Sequence, residues 1–291
     1  MAIELARGVG PSRIDIAYER LGNPADPPLL LIMGLGAQLV AWPDEFCAAL
    51  AGRGFHVIRF DNRDAGGSTR FAGLPNFAAA MLGDASTAVY SLSDMAADTA
   101  GLLDALGIAS AHVVGASLGG FVAQTLAIEH PTRVRTLTSL MSSTGACDVG
   151  QPHPESAALF AGGPPTTREQ AIERAKRGAQ LVGSTALGLD LDGIADRAGR
   201  AFDRGFDATA FVRQGVAVVA SGDRTPRLRA VTVPTLVIHG TADKLVDPSG
   251  GRATAAAIPG AKLVEIEGMG HDVPRAAWGR IVDEIAALAL G

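Results

Sequence analysis

The feature that most constrains the fold is a Gly-x-Ser-x-Gly pentapeptide, Gly115 to Gly119, between an apolar run and a helix-like run. The residues before the serine, AHVVGA, are typical of a buried strand, and those after it, LGGFVAQTLAIEH, are typical of a helix. So sharp a turn requires flanking positions almost free of side chains, and it exposes the serine oxygen. The pattern predicts a strand–turn–helix unit with Ser117 as a candidate nucleophile at the carboxyl end of the strand. The alternative is a serine that only caps a buried helix.

The length, composition and charge of the chain limit the classes of protein to which it can belong. A chain of 291 residues with 47% apolar content can bury a sizeable core, either as one large α/β domain or as a core with an insertion. A net charge of -5 and the lack of a Lys/Arg-rich run argue against nucleic acid as a partner. The charged N-terminal stretch is unlike a secretory signal, and no apolar stretch reaches membrane-spanning length. We therefore expect a soluble, cytoplasmic protein without a membrane partner, as a monomer or homodimer.

The two cysteines, Cys47 and Cys147, stand a hundred positions apart and match neither a disulfide framework nor a metal-ligand spacing. We interpret both as reduced thiols, with Cys47 packed on a helix face.

Short apolar runs alternate with helical periodicities along most of the chain, which is the pattern of a mainly parallel sheet covered by helices on both faces. One helix is predicted from Leu92 to Leu106, with Ser91 and Asp94 suited to cap its start. The predicted strands are RIDIAYER, PLLLIMG (28–34), HVIRFD (56–61), AHVVGA (111–116), RTLTSLM (135–141), TLVIHG (235–240) and KLVEIE (262–267).

This alternation fails between about 147 and 225. There, Gly162-Gly163-Pro164-Pro165 precedes helical stretches around 168–183, 192–205 and 209–220. We predict a helical cap at 147–225, lying over an α/β core made of 1–146 and 226–291. The many arginines of the cap are interpreted as a solvated face and not as an anion site. The acidic residues that would balance them are Asp190, Asp192, Asp196 and Asp203.

A serine nucleophile needs a base, and the base needs an orienting acid. His271 is the best candidate base because GMGHDVP follows the last predicted strand, where the glycines allow close approach. Asp243 is the candidate acid because it lies a short turn beyond the strand TLVIHG, and Asp148 is the alternative. Asp247, before a proline, is predicted to form a turn. The chain order Ser117, Asp243, His271 is that of the nucleophile-elbow hydrolases.

A tetrahedral intermediate also needs two backbone N–H donors, one after the nucleophile and one after an early strand. These are predicted to be Leu118 and Leu35, the latter lying between two glycines. The low polarity near the site predicts a pocket for a largely apolar ligand. Its expected lining residues are Leu140, Met141 and Val246.

With these residues assembled, the chain resembles the α/β-hydrolase superfamily over nearly its whole length outside the cap. The resemblance implies an α/β-hydrolase fold with an inserted helical cap and a triad of Ser117, Asp243 and His271. It also implies an oxyanion hole formed by Leu35 and Leu118. Three segments are more narrowly similar to the branch that includes the aclacinomycin methylesterases, which cleave a carboxylic methyl ester on an anthracycline: VIRFDNRDAGGST, VTVPTLVIHG and EGMGHDVP.

Two positions depart from the usual superfamily pattern. Met33 stands where the superfamily commonly has His, although the methylesterases resemble this chain there. In the segment that commonly reads Asp-x-Arg-Gly-x-Gly, Asp64 stands at the first glycine. We interpret Asp61 and Arg63 as a structural turn pair and not as catalytic residues.

The sequence predicts a serine hydrolase that cleaves a small to medium, largely apolar carboxylic ester, with that small molecule as its partner and with no metal or organic cofactor. Fold does not fix the reaction, because the same triad supports lactone, thioester or carbon–carbon hydrolysis and cofactor-free perhydrolysis. A ligand receptor that has the scaffold without catalysis is the remaining alternative.

Overall fold

The computed structural model describes residues 2–160 and 164–291. Its strands are β1 (Glu4–Val9), β2 (Ile14–Leu21), β3 (Pro28–Ile32), β4 (His56–Phe60), β5 (Ala111–Ala116), β6 (Val134–Leu140), β7 (Thr235–Gly240) and β8 (Lys262–Ile266). They form one sheet in the order β1-β2-β4-β3-β5-β6-β7-β8. β2 pairs antiparallel with both β1 and β4, and all other neighbours are parallel.

The helices of the described residues are α1 (Asp44–Ala51), α2 (Phe77–Met81), α3 (Leu92–Ala105), α4 (Leu118–Glu129), α5 (Arg168–Val182), α6 (Leu191–Asp203), α7 (Ala208–Ser221), α8 (Thr225–Leu228), α9 (Ser249–Ala257) and α10 (Trp278–Leu290). Short 3-10 turns occur at Leu39–Ala41, Pro131–Arg133, Pro154–Phe160, Thr185–Leu187 and Arg275–Ala277. Within residues 2–160 and 164–291, no helix combines the length and the apolar character that a bilayer span requires.

Successive side chains of the central strands are buried on opposite faces of the sheet, as strand geometry requires. Leu30 and Ile32 pack into one apolar cluster with buried residues of α3 and α4. Leu29 and Leu31 pack into a second cluster with buried residues of α1 and α10. The predicted α/β class, a mainly parallel sheet with helices on both faces, is therefore confirmed.

All seven predicted strands are present, whereas β1 was not predicted. Its sequence, ELARGV, carries two charges and is mostly exposed, so it lacks the apolar alternation of a recognisable strand.

The predicted N-terminal capping of helix α3 is confirmed: Ser91 Oγ accepts from Asp94 N–H, and Asp94 Oδ2 accepts from Ser91 N–H. Cys47 is buried on α1, as predicted, and Cys147 is exposed.

Helices α5, α6 and α7 occupy the three stretches predicted to be helical between β6 and β7. α5 packs against α6, α6 packs against the turn Leu39–Ala41, and α7 packs against α2 and α3. The limits predicted for the cap, 147 and 225, stay a prediction. Gly162 and Gly163 of the predicted breaker lie outside the described residues.

Only some of the arginines between β6 and β7 lie on the solvated face that was predicted for them. Arg168 pairs with Asp203 at the surface, as predicted. Arg200 pairs with Asp196 but also, at a shorter distance, with Asp44 of α1. The prediction is wrong for Arg204 and Arg213, since both side chains are largely buried against carboxylates of the core. Charge composition alone could not reveal this, because the acidic partners come from a distant segment of the chain.

Candidate active site

The backbone at Ser117 is held in a conformation that few residues other than glycine adopt, with φ 55° and ψ -121°. Such strain persists only where the surroundings enforce it. Ser117 N–H donates to the carbonyl of Leu140 (2.8 Å), and its own carbonyl accepts from Ser142 Oγ (3.0 Å). These contacts fix the turn between β5 and α4 and leave the serine side chain partly exposed.

No residue larger than glycine fits at the two positions that flank the serine turn. A Cβ at Gly115 would lie 2.1 Å from the carbonyl oxygen of Gly119. A Cβ at Gly119 would lie 2.0 Å from the carbonyl oxygen of Ile32. The close packing of strand and helix that the pentapeptide predicted is present.

The structure brings the hydroxyl of Ser117 to the imidazole of His271, 154 positions away in the chain: Nε2 and Oγ are 3.0 Å apart. The other ring nitrogen, Nδ1, lies 2.8 Å from Asp243 Oδ2. A carboxylate only accepts hydrogen bonds, so Nδ1 carries the proton and Nε2 is free to accept from the serine hydroxyl. This arrangement suits removal of the serine proton by a base within hydrogen-bond reach.

Asp243 is buried and kept ionised by its donors. Its Oδ1 accepts from the N–H groups of Leu245 and Val246, each at 2.9 Å. Burial alone raises the pKa of this carboxyl, but attraction to His271 and hydrogen bonds from His239, His271 and Val246 N–H outweigh burial and hold the pKa well below its usual range.

His239 is a second imidazole beside this acid. It has no exposed surface; its Nε2 lies 2.8 Å from the carbonyl oxygen of Val246 and 3.3 Å from Asp243 Oδ2. Because a carbonyl only accepts, Nε2 carries a proton, and that N–H also faces the carboxylate. No sequence pattern indicated this contact.

The structure distinguishes Asp243 from Asp148, the alternative acid. Asp148 is exposed beyond β6, while Asp243 contacts His271 directly. Asp247 accepts from Ser249 N–H, and its carbonyl accepts from Gly250 N–H, so it forms the predicted turn.

The loop that carries His271 is attached to the end of α5. His271 N–H donates to the carbonyl of Val182 (2.6 Å), and Gly270 N–H donates to Ser184 Oγ (2.8 Å). Asp272 accepts from both the N–H and the hydroxyl of Ser184. Burial raises the pKa of Asp272, partly opposed by these Ser184 hydrogen bonds. No sequence pattern signalled Ser184.

The loop after β3, residues 33–36, approaches the nucleophile closely. A Cβ at Gly34 would lie 3.2 Å from Ser117 Cβ. Among residues 2–160 and 164–291, neither Leu35 N–H nor Leu118 N–H donates to another group. That both groups donate to a ligand beside Ser117 stays a prediction.

The three residues predicted to line a substrate pocket differ in placement. Leu140 has no exposed surface and lies within the apolar core, where its carbonyl accepts from Ser117 N–H. Leu140 thus packs in the core and supports the turn, and its contact with a substrate stays a prediction. Met141 is 4% exposed and Val246 is partly exposed, and for these two a substrate contact stays a prediction. Across the described parts of the chain, no group of three or more His, Cys, Asp or Glu residues is placed to hold a metal ion.

Comparison with known proteins agrees with this fold. The family model for the alpha/beta hydrolase fold matches residues 27–274. The chain belongs to the α/β hydrolase family. The rhodomycin D methylesterase DauP of Streptomyces sp. (strain C5) is 32% identical, covering 97% of each chain. The rhodomycin D methylesterase DnrP of Streptomyces peucetius is 33% identical, covering 92% of this hydrolase and 93% of the relative. The resemblance to methylesterases is thus confirmed.

The hydrolase also superposes on solved structures. The esterase RhEst1 from Rhodococcus sp. ECU1013 matches it with a TM-score of 0.75 and 23% identity, covering 100% of this chain and 99% of that one. At that identity the likeness shows the fold alone.

Proposed function

We propose that this hydrolase is a serine-dependent carboxylic ester hydrolase, with Ser117 as nucleophile, His271 as general base and Asp243 as the orienting acid. The observation that carries the proposal is the continuous path from Asp243 Oδ2 to His271 Nδ1 (2.8 Å) and from His271 Nε2 to Ser117 Oγ (3.0 Å). A serine hydroxyl is a weak nucleophile until a base in this position removes its proton.

In the proposed reaction, Ser117 Oγ attacks the acyl carbon while His271 Nε2 takes the hydroxyl proton. His271 then gives that proton to the departing alkoxide oxygen, which releases the alcohol and leaves an acyl-serine. Water, deprotonated by His271, attacks the acyl carbon. The bond between that carbon and Ser117 Oγ then breaks, His271 returns the proton to Oγ, and the carboxylic acid is released. Asp243 stays ionised throughout and stabilises the imidazolium that forms twice.

Residues 33–36 are proposed to be the oxyanion loop. Leu35 N–H and Leu118 N–H would donate to the negative oxygen of each tetrahedral intermediate, and their freedom from other acceptors supports this role.

We propose a small to medium, largely apolar ester as the substrate, held between the oxyanion loop and a cap at 147–225. The relatives that are named methylesterases support the methyl ester of a bulky acid as the first substrate to test. A series of methyl, short-chain, long-chain and aromatic esters should show higher kcat/KM for methyl esters of large apolar acids. A preference confined to acetate esters of small alcohols would contradict this substrate class.

The first test of the mechanism is Ser117→Ala. Without the nucleophile, turnover of a p-nitrophenyl ester should fall by about 10^4-fold or more, while the folded state persists. Ser93→Ala is the matched control, because Ser93 lies on the surface of α3 and bonds to Glu129, away from the turn at Ser117, so its turnover should stay close to wild type. Near-wild-type turnover by Ser117→Ala would reject the assignment of the nucleophile.

A further inference from the structure

The cap helix α7 reaches the oxyanion loop through Gln214, a side chain with no exposed surface. Its Oε1 accepts from Gly36 N–H at 2.7 Å, and its Nε2 donates to the carbonyl of Arg63 at 2.9 Å. Both ends of the amide are therefore used, and both contact backbone and not another side chain.

The contact at Gly36 fixes the peptide plane next to the one that carries the proposed donor, Leu35 N–H. In a trans peptide, N–H and C=O point in opposite directions, so fixing one group fixes the other. Ala37 N–H donates to the carbonyl of Gly34 (3.2 Å) and sets the plane that carries Leu35 N–H. Gln214 sets the next plane, which carries Gly36 N–H, at a residue with φ +68°.

α7 is itself anchored at the residue before Gln214. Arg213 Nε and Nη2 each lie 2.9 Å from the carboxylate of Asp64, and neither side chain is more than 2% exposed. Asp64 adopts φ +69°, and it also accepts from Tyr90 Oη and Phe71 N–H. The aspartate that replaces the usual glycine at 64 thus fixes α7 onto the core.

Asp61 and Arg63, interpreted from the sequence as a turn pair, have separate partners. Asp61 accepts from Arg204 and from the N–H groups of Leu39 and Gly67, whereas Arg63 pairs with buried Asp98 at 2.6 Å. Together with Asp64 they hold the segment whose Arg63 carbonyl receives Gln214 Nε2.

We propose that Gln214 is a positioning residue that holds the oxyanion loop in its reactive conformation, so that the cap contributes to the chemical step. This inference rests on the proposed function. Gln214 touches no reacting atom and acts through Gly36 and the adjoining Leu35. The cap position of Gln214 and its separation of 178 residues from Gly36 explain why sequence patterns gave no indication of it.

The test is Gln214→Met, which preserves side-chain length and removes the acceptor for Gly36 N–H. If oxyanion donation weakens, kcat should fall by about 10- to 100-fold with KM within about threefold, since loss of a whole donor costs about 10^2- to 10^3-fold. The affinity for a trifluoromethyl ketone, whose adduct with Ser117 carries an oxyanion, should fall by the same factor as kcat/KM.

Gln124→Met is the matched control. Gln124 is equally buried, on α4, but it bonds to Ser139 Oγ and Arg224 and not to the oxyanion loop. Its kcat and inhibitor affinity should stay within about threefold of wild type. An equal loss in both variants, or no loss in Gln214→Met, would overturn the proposal.

A second variant, Gln214→Glu, covers the case in which Gln214→Met does not fold. Buried against the Arg63 carbonyl, its carboxyl is held in the neutral form, which keeps an acceptor for Gly36 N–H and a donor for that carbonyl. We therefore expect kcat to stay within about tenfold of wild type, and a larger loss would overturn the role of that acceptor. The proposed function is tested separately by wild-type ester hydrolysis and labelling of Ser117. If the wild type fails both, the proposed function fails; if it passes while Gln214→Met matches it, only the role of Gln214 fails.

Discussion

At the scale of single residues, the chemistry depends on how Asp243 is held. Two backbone N–H groups bind one carboxylate oxygen, and His239 and His271 face the other. A buried carboxylate with this many donors stays charged and accepts from His271 Nδ1, which leaves Nε2 for the serine. The acid therefore determines the tautomer as well as the orientation of the base.

Replacing Asp243 with Asn should keep the shape of the site but present an amide to His271, which favours the wrong tautomer. We expect Asp243→Asn to lower kcat by about 10^4-fold with a small change in KM, measured by steady-state hydrolysis of a p-nitrophenyl ester. Asp247→Asn, on the same loop but bonded to Ser249 N–H, should retain kcat within about threefold. Comparable activity in the two variants would contradict the role of Asp243.

At the scale of elements, the site depends on the close contact between β3, β5 and α4. A strand, a turn and a helix can meet at this distance only because Gly115 and Gly119 lack side chains. This much was predictable, because the pentapeptide and its flanking periodicities are local in sequence. The strand ends that carry Asp243 and His271 were predictable for the same reason.

Gly119→Ala should destabilise the fold. The added Cβ would lie 2.0 Å from the carbonyl oxygen of Ile32, so the backbone would have to move. We expect a loss of about 1–3 kcal/mol or more in the free energy of unfolding, measured with urea. The matched change Gly279→Ala on α10 meets nothing within 4 Å and should stabilise by about 0.5–1 kcal/mol. Equal effects of the two substitutions would refute the packing argument.

At the scale of the whole molecule, the helical region between β6 and β7 is joined to the rest of the chain by contacts between distant segments. Arg213 binds Asp64, Gln214 binds Gly36, and Ser184 binds the His271 loop. None of these could be predicted, because each pairs residues that lie far apart in the chain. The predicted contact between Leu140 and substrate stays a prediction, because the burial of its side chain depends on the assembled fold.

The attachment of α7 should respond to acid. Burial raises the pKa of Asp207, but hydrogen bonds from Thr209 and Arg213 outweigh it and lower the pKa to about 2. A carboxyl with a lowered pKa stabilises the fold above its unfolded value of about 4, and this contribution is lost as the pH falls through about 2. The Tm advantage of wild type over Asp207→Asn should therefore shrink between pH 4 and pH 2. In an Arg213→Gln background that change should be smaller, and a Tm difference independent of pH would contradict the assignment.

The central claim is that His271 activates Ser117. The most direct measurement is the rate and the site of labelling by a fluorophosphonate, followed by intact-mass and peptide mass spectrometry. The account predicts one label per chain, on Ser117, with a rate at least about 100-fold lower in His271→Ala. Labelling of another residue, or wild-type labelling of Ser117 in His271→Ala, would contradict it.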